Sequence, residues 1–289
     1  MKKISLLLVT VLLLCMTGCA APRATPSVVA TTKPVYDFTS YLCQGTDLSV
    51  GQLITENVSC LHDYSLSVEQ VRKAEAAEVM VISGAGLESF MDDLLRQHRV
   101  IDSSAHVPLL ECTEEHDHDH EHHHETDAHI WLAPENARMM ANNICNGLCE
   151  VYPQQKDALR ANLAALEKKL DALQQLGEKT LGTLSCRELV TFHDGFGYLA
   201  DAFDLTIAAA IEEESGSEAS AKELIALMEL VQQRQIPAIF AETNGSLSAP
   251  GIISREIGVP VYTLDMGMGS GDYFEIMEQN IHTLKEALG

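Results

Sequence analysis

The chain has 289 residues, 46% of them hydrophobic, and a formal net charge of −23. That length leaves room for two modest domains or one large one, each with a substantial apolar core. The acidic excess excludes nucleic acid as a partner, because phosphates require a basic surface, and it favours cationic partners.

The first residues read as a targeting segment. Lys2 and Lys3 precede an apolar run from Leu6 to Met16, too short for a membrane-spanning helix. Met16-Thr17-Gly18-Cys19 then looks like a bacterial lipoprotein signal, cut before a cysteine that carries lipid. An ordinary signal peptide cut near Ala20 or Ala21 is the alternative. Residues 1–18 are therefore assigned to the signal peptide, and 19–27, with Pro22 and Pro26, to a flexible tether. Cys43, Cys60, Cys112, Cys145, Cys149 and Cys186 remain, and an exported chain can oxidise them. Sequence does not choose among their pairings. Cys145 and Cys149 stand one helical turn apart, where a mutual disulfide would be strained, and read as small core residues.

From Ser27 to Thr32 a β-branched run forms a strand, and a helix pattern follows Lys33-Pro34 to about Cys43. Leu48 to Ile54 and Asn57 to Leu61 are two short strand candidates, the second ending at His62. Ser67 and Gln70 make a capping pair that opens a helix. Val79 to Ile82 is a buried strand, Leu87 to Gln97 an amphipathic helix, and Val100-Ile101 a short strand. Strands that alternate with helices predict βα units and a parallel sheet.

A segment of another kind interrupts this lobe. Between Glu115 and Leu132 lie seven of the chain's twelve histidines, among them His116, His118, His120, His122, His123 and His124. Acids alternate with them, and no Lys or Arg is present from Glu111 to Asp127. Such a stretch cannot bury an apolar core, and its imidazoles and carboxylates are ligands for divalent transition metals. His129 differs from the others, because it abuts the apolar Ile130-Trp131-Leu132. A helix then runs from about Pro134 to Glu150.

Pro153 opens a longer helix in which Leu159, Leu163, Leu166, Leu170 and Leu173 recur at spacings of four and three, one apolar face. At ~1.5 Å per residue it reaches roughly 40 Å, enough to span two lobes. The βα pattern restarts after it, with strands at Glu188 to Phe192, Leu205 to Ile211, Ala238 to Ala241 and Val261 to Leu264. Helices are predicted near Gly195 to Ala202, Ala221 to Arg234, Ala249 to Ile257 and Asp272 to Leu288. The fold class is thus α/β. An N-terminal lobe (28–152, with the His-rich loop at 112–127) and a C-terminal lobe (185–289) are joined by a linking helix at 153–184.

Ligands of parallel α/β sheets bind at the carboxyl ends of the strands. His62, His193, Glu242 and Asp265 each directly follow a strand, and His129 lies at the rim of the first lobe. Three imidazoles and one carboxylate would fill a tetrahedral zinc shell in the cleft between the lobes. Each residue also has a bland reading: a hydrogen-bonded loop histidine, or an Asp that caps a helix or turn. The bland reading is preferred for His98, His106 and His282.

Five pieces together resemble a known family: L-H-D-Y at 61–64, E-V-M-V-I-S-G-A-G-L-E at 78–88, A-H-I-W-L-A-P-E-N-A at 128–137, T-F-H-D-G-F-G-Y-L-A at 191–200 and Y-T-L-D at 262–265, with the acidic His loop beside them. The chain is similar over about residues 28–289 to the metal-binding lipoproteins of bacterial zinc and manganese ABC importers, the cluster A-I proteins, and most to their zinc-specific branch. The resemblance implies two α/β lobes joined by a rigid helix, with metal bound between them. It implies His62, His129 and His193 as imidazole ligands and places the fourth position on Asp265. Met266-Gly267-Met268-Gly269 stands where the family commonly has Pro-Leu, and Glu242 or water is the alternative fourth ligand. Manganese-binding relatives tend to carry an acid where this chain has His193, and an extra nitrogen favours zinc.

The implied function is extracytoplasmic capture of Zn2+ and delivery to an ABC importer, its permease and its ATPase. The chain would be a monomer anchored to the bacterial cell membrane through lipid on Cys19. The loop histidines would be an auxiliary, weaker collector. Rival classes are an exported zinc-dependent hydrolase with a three-His site, and a surface adhesin or zinc store. H-E-x-x-H is absent, and no residue stands out as a general base.

Overall fold

A computed structural model describes residues 26–58, 61, 64–110, 126–212 and 219–289. The signal segment, Cys19, Cys60, His62, Cys112 and the loop histidines His116, His118, His120, His122, His123 and His124 lie outside the described residues. Among the described residues no helix is long and apolar enough to cross a membrane.

Two four-stranded sheets form the core of two lobes. The first joins β1 (Val28–Ala30), β2 (Val50–Gln52), β3 (Val79–Ile82) and β4 (Val100–Asp102) in the order β2-β1-β3-β4. The second joins β5 (Glu188–His193), β6 (Thr206–Glu212), β7 (Ile239–Glu242) and β8 (Val261–Leu264) in the order β6-β5-β7-β8. Every pairing is parallel. Helices cover both faces of such sheets, so their central strands read as unbroken apolar runs. Val79, Met80 and Val81 are fully buried, as are Val28, Val29 and Ala30.

In the first lobe α1 (Lys33–Leu42) and α2 (Val68–Glu75) follow β1 and β2. The Ser67/Gln70 pair forms a reciprocal capping box, as the sequence predicts. The strand expected over Asn57 to Leu61 is absent at its described positions, Asn57, Val58 and Leu61. Leu61 is fully buried in a loop instead, so its hydrophobicity reflects core packing rather than a fifth strand.

The helix expected over Leu87 to Gln97 is broken. A 3-10 turn at Ser89–Met91 and a single α turn, α3 (Asp92–Leu95), take its place. The cause is Glu88. Its buried carboxylate turns inward and accepts bonds from the Thr31 hydroxyl (2.5 Å) and from the amides of Ser83 (2.7 Å) and Gly84 (3.0 Å). One side chain thereby ties the ends of β1 and β3 together. Burial pushes the Glu88 carboxyl up to about 7, against the lowering effect of those donors.

α4 (Pro134–Val151) leads into α5 (Lys156–Leu181), the linking helix, through a 3-10 turn at Pro153–Gln155. The predicted leucine face is the buried one, from Leu159 to Leu173. Each end of α5 grips a different lobe. Asn162 donates to the carbonyls of Leu42 and Gln44, which finish α1. Gly177 receives the Phe203 ring, which a Cβ there would approach to 2.1 Å. Midway, the Lys169 ammonium stands 5.0 Å from the Tyr41 ring and 4.1 Å from that of Phe274, one ring from each lobe.

The second lobe adds α6 (Gly197–Ala202), α7 (Ala221–Arg234), α8 (Ser248–Ile257) and α9 (Tyr273–Leu288). Phe38 of α1 meets Tyr273 of α9 edge to face at 4.8 Å, so one apolar core runs through both lobes, while a second cluster around Val190, Phe192 and Ile239 lies within the second lobe. Cys43, Cys145, Cys149 and Cys186 form no disulfide. Cys145 and Cys149 are buried with their sulfurs 4.0 Å apart, and they pack as core residues.

Candidate metal centre

Parallel strands of equal register bring their last residues to one edge. His193 ends β5 and lies level with Glu212, the last residue of β6. On the other side Thr191 pairs with Phe240, and two residues further along each strand stand His193 and Glu242. Glu242 pairs in turn with Leu264, so Asp265 begins just beyond the same edge. Sequence reasoning placed His193 and Glu242 one residue past their strands; they are instead the terminal strand residues.

His129 reaches this edge from the first lobe. It precedes the 3-10 turn Ile130–Leu132 that enters α4. Its ring meets that of His193 edge to face, with centroids 5.2 Å apart and planes at 87°. Both residues are buried, His129 to 4% and His193 to 3% exposure. His129 Nδ1 lies 2.8 Å from Asp127 Oδ1, and the His129 amide donates to the same oxygen at 2.8 Å. A carboxylate oxygen only accepts, so Nδ1 is the donor, which in the neutral ring leaves the lone pair on Nε2. A carboxylate that orients a histidine in this way is the usual outer partner of a metal-binding imidazole.

Asp127 is itself fixed from the other lobe. The Tyr198 hydroxyl on α6 donates to the Asp127 carbonyl (3.0 Å) and accepts from the Leu110 amide (2.9 Å). The Asp127 amide closes the figure by donating to the Leu110 carbonyl at 3.1 Å. Leu110 and Asp127 flank the His-rich segment, so its two ends meet beside His129.

The segment after Asp265 is held by the first lobe at several points. Trp131 Nε1 donates to the Met266 carbonyl (2.7 Å), and the Tyr273 hydroxyl donates to the Trp131 carbonyl (2.7 Å). Lys33 donates to the Gly271 carbonyl at 2.5 Å. Asn57 and Asn244 exchange a reciprocal amide pair across the lobes, at 2.8 and 3.0 Å. Asn280 of α9 binds both the amide and the carbonyl of Asp265. Asp265 Oδ1 accepts from the Gly267 amide at 2.7 Å, the turn geometry of the bland reading.

Of the residues singled out in the sequence, the structure brings His129 and His193 together, with Glu242 and Asp265 along the edge of the second sheet. Among the described residues no three His, Cys, Asp or Glu side chains gather closely enough to hold a metal, and His62 lies outside that set. His98 is a loop histidine bonded to the Leu94 carbonyl, as the bland reading has it. Sequence reasoning missed Asp127 and Met266. Asp127 carried one signal, its i, i+2 spacing to His129, but it was hidden in a run of eight acids.

The zinc-uptake complex component A family model, ZnuA, matches residues 28–287. The zinc-binding lipoprotein AdcA of Streptococcus pneumoniae is 31% identical over 308 aligned positions, which cover 99% of this chain and 61% of AdcA. The chain thus spans about six-tenths of the length of that relative. A crystal structure of ZnuA is similar with a TM-score of 0.81 at 26% identity, over 91% of this chain and all of that one. The Zn(II)-bound ZnuA-like domain of Streptococcus pneumoniae AdcA has a TM-score of 0.78 at 28% identity, over 92% of this chain and 99% of the domain.

Proposed function

Because the chain belongs to the zinc-uptake complex component A family, we propose that it captures Zn2+ outside the cytoplasm and hands it to an ABC importer, its permease and its ATPase. The observation that carries this reading is the pair of buried imidazoles, His129 and His193, one from each lobe, with His129 oriented by Asp127. His62 is proposed as the third imidazole and Asp265 as the fourth ligand, with Glu242 the alternative on the neighbouring strand. Nitrogen donors suit zinc better than manganese, which prefers oxygen.

Ligands drawn from two lobes make the metal part of the lobe interface. A displacement of one lobe against the other would therefore alter its donor set. The linking helix α5 keeps the lobes in register, since it holds Leu42 and Gln44 at one end and packs on Phe203 at the other. The lobes are taken to run over 28–152 and 185–289, with Cys19 as a lipid anchor after a signal peptide at 1–18 and a tether at 19–27. The His-rich loop is assigned the lesser part of a local collector, because its ends meet beside His129. The role proposed is one of binding rather than catalysis, in keeping with the zinc-uptake family and with the lack of a residue that stands out as a general base.

The test is zinc titration against a chromophoric chelator. The reading requires one tight site that His129→Ala and His193→Ala each abolish. A tight site that survives both substitutions would overturn it.

A further inference from the structure

Tyr198 makes a contact across the lobes that packing alone does not explain. Leu110 and Asp127 lie opposite each other at the two ends of the His-rich segment. The Asp127 amide donates to the Leu110 carbonyl at 3.1 Å, one half of the exchange that joins a hydrogen-bonded antiparallel pair. The other half runs through Tyr198. Its hydroxyl accepts from the Leu110 amide at 2.9 Å and donates to the Asp127 carbonyl at 3.0 Å. A side chain of the second lobe thus serves as a spacer inside a pairing of the first. Tyr198 is buried, at 2% exposure, and follows His193 closely on the same lobe. Its neighbour Gly197 brings the backbone of α6 against the Asp127 carboxylate, since a Cβ there would stand 3.1 Å from Oδ2.

Asp127 is thereby held at its amide, its carbonyl and its carboxylate. Its Oδ1 takes both the amide and Nδ1 of His129, at 2.8 Å each, so a turn of the Asp127 backbone carries the His129 ring with it. From this geometry we propose that Tyr198 is a positioning residue of the metal centre. Its hydroxyl sets the place of Asp127, and through Asp127 the direction of the His129 imidazole relative to His193. The proposal rests on the reading of those two histidines as zinc ligands. Without the hydroxyl, the Leu110 amide and the Asp127 carbonyl must close on each other or take water, because buried polar groups seek partners. Either change moves the residue that carries the carboxylate. The competing role is purely structural: Tyr198 fastens two chain ends to α6, and its loss lowers stability alone.

The experiment measures Zn2+ affinity by chelator competition in the full chain and its Tyr198→Phe, Asp127→Ala and doubly substituted variants. Tyr198→Phe keeps the buried ring and removes only the oxygen. It should weaken zinc binding about tenfold, the lower end of the cost of losing an outer partner of a metal-bound histidine. In the Asp127→Ala background the same change should cost less than about threefold, because residues that act through one another do not add. Tyr152→Phe is the control for stability. The Tyr152 hydroxyl donates to Glu78 at 3.0 Å, beside the amino end of β3 and so at the opposite edge of the first sheet from the site. Its loss should lower the melting temperature of the zinc-free chain and leave zinc affinity within about twofold of the parent. Unchanged zinc affinity in Tyr198→Phe, equal losses with and without Asp127, or an equal loss from Tyr152→Phe would each overturn the proposal and leave the zinc reading standing. A parent without a tight zinc site would overturn the zinc reading itself, and the proposal with it.

Discussion

His129 and His193 face each other edge to face with ring centroids 5.2 Å apart, although one immediately precedes the 3-10 turn that enters α4 and the other ends a strand of the opposite lobe. Two buried imidazoles at that separation share a single small volume. Whatever binds there is held by both lobes at once, and separating the lobes takes its ligands apart.

The first consequence concerns Asp127. It holds the ring of His129 through Nδ1, so its loss should leave the fold intact and loosen one proposed ligand. Asp127→Ala is expected to weaken zinc binding roughly 10–100-fold, the usual cost of losing an outer partner of a metal-bound histidine. Chelator competition measures it. Asp127→Glu should recover part of the loss if orientation of the ring is the cause.

Gly195 offers a steric test. Gly195→Ala would place a methyl against Met266 and both imidazoles. Asp127 holds the His129 ring, while the unbranched methionine end is the more adaptable neighbour. The substitution should reduce zinc affinity about tenfold, as for a displaced ligand partner. Adding Met266→Ala should restore much of it by vacating the contested space. A double variant no better than the single would show that the rings, not the thioether, take the strain.

Trp131 ties the two halves of the site, with its indole on Met266 and its carbonyl on Tyr273. Trp131→Phe keeps most of the buried volume and removes the indole N–H. The Met266 carbonyl would then lose a buried partner, at a cost of about 1–3 kcal/mol. Chemical denaturation should register that loss, and zinc affinity should fall with it, since Met266 adjoins Asp265.

Glu88 makes a prediction about pH. Its folded carboxyl titrates near 7 rather than the ordinary 4.5, chiefly because it is buried, with Asp102 adding to the rise. Across that window the folded chain holds a proton that the unfolded chain has released. The group's contribution to stability is therefore full below its ordinary value, declines as pH rises through the window, and is constant above it. Melting temperatures of the parent and of Glu88→Gln, recorded across this range without metal, should diverge between pH 4.5 and about 7, the parent losing ground. Above that the two should run parallel. Parallel curves throughout would mean that the donors from Thr31, Ser83 and Gly84 keep Glu88 ionised.

The alternation of strands and helices was legible because buried parallel strands such as Val79–Ile82 cannot hide their apolar runs, and because Ser67/Gln70 and Ser220/Glu223 cap their helices by local chemistry alone. The leucine face of α5 was legible for the same reason. What failed was what depends on distant partners. Leu87 to Gln97 has helical periodicity, but Glu88 answers to Thr31 and Ser83, and the helix breaks there. The strand expected at Asn57 to Leu61 read core burial as strand pairing. At the site, the histidines announced themselves by type and position. Asp127 and Met266 did not, because an acid among acids and a methionine beside glycines carry no pattern. Only the meeting of the lobes gives them meaning.

The most direct test of the central claim is a crystal structure of the zinc-loaded chain, with anomalous scattering recorded on both sides of the zinc edge. The account predicts one strong peak between the lobes, bonded to the Nε2 atoms of His129 and His193, with His62 beside them. Peaks confined to the histidines between 112 and 127, with nothing between His129 and His193, would contradict it.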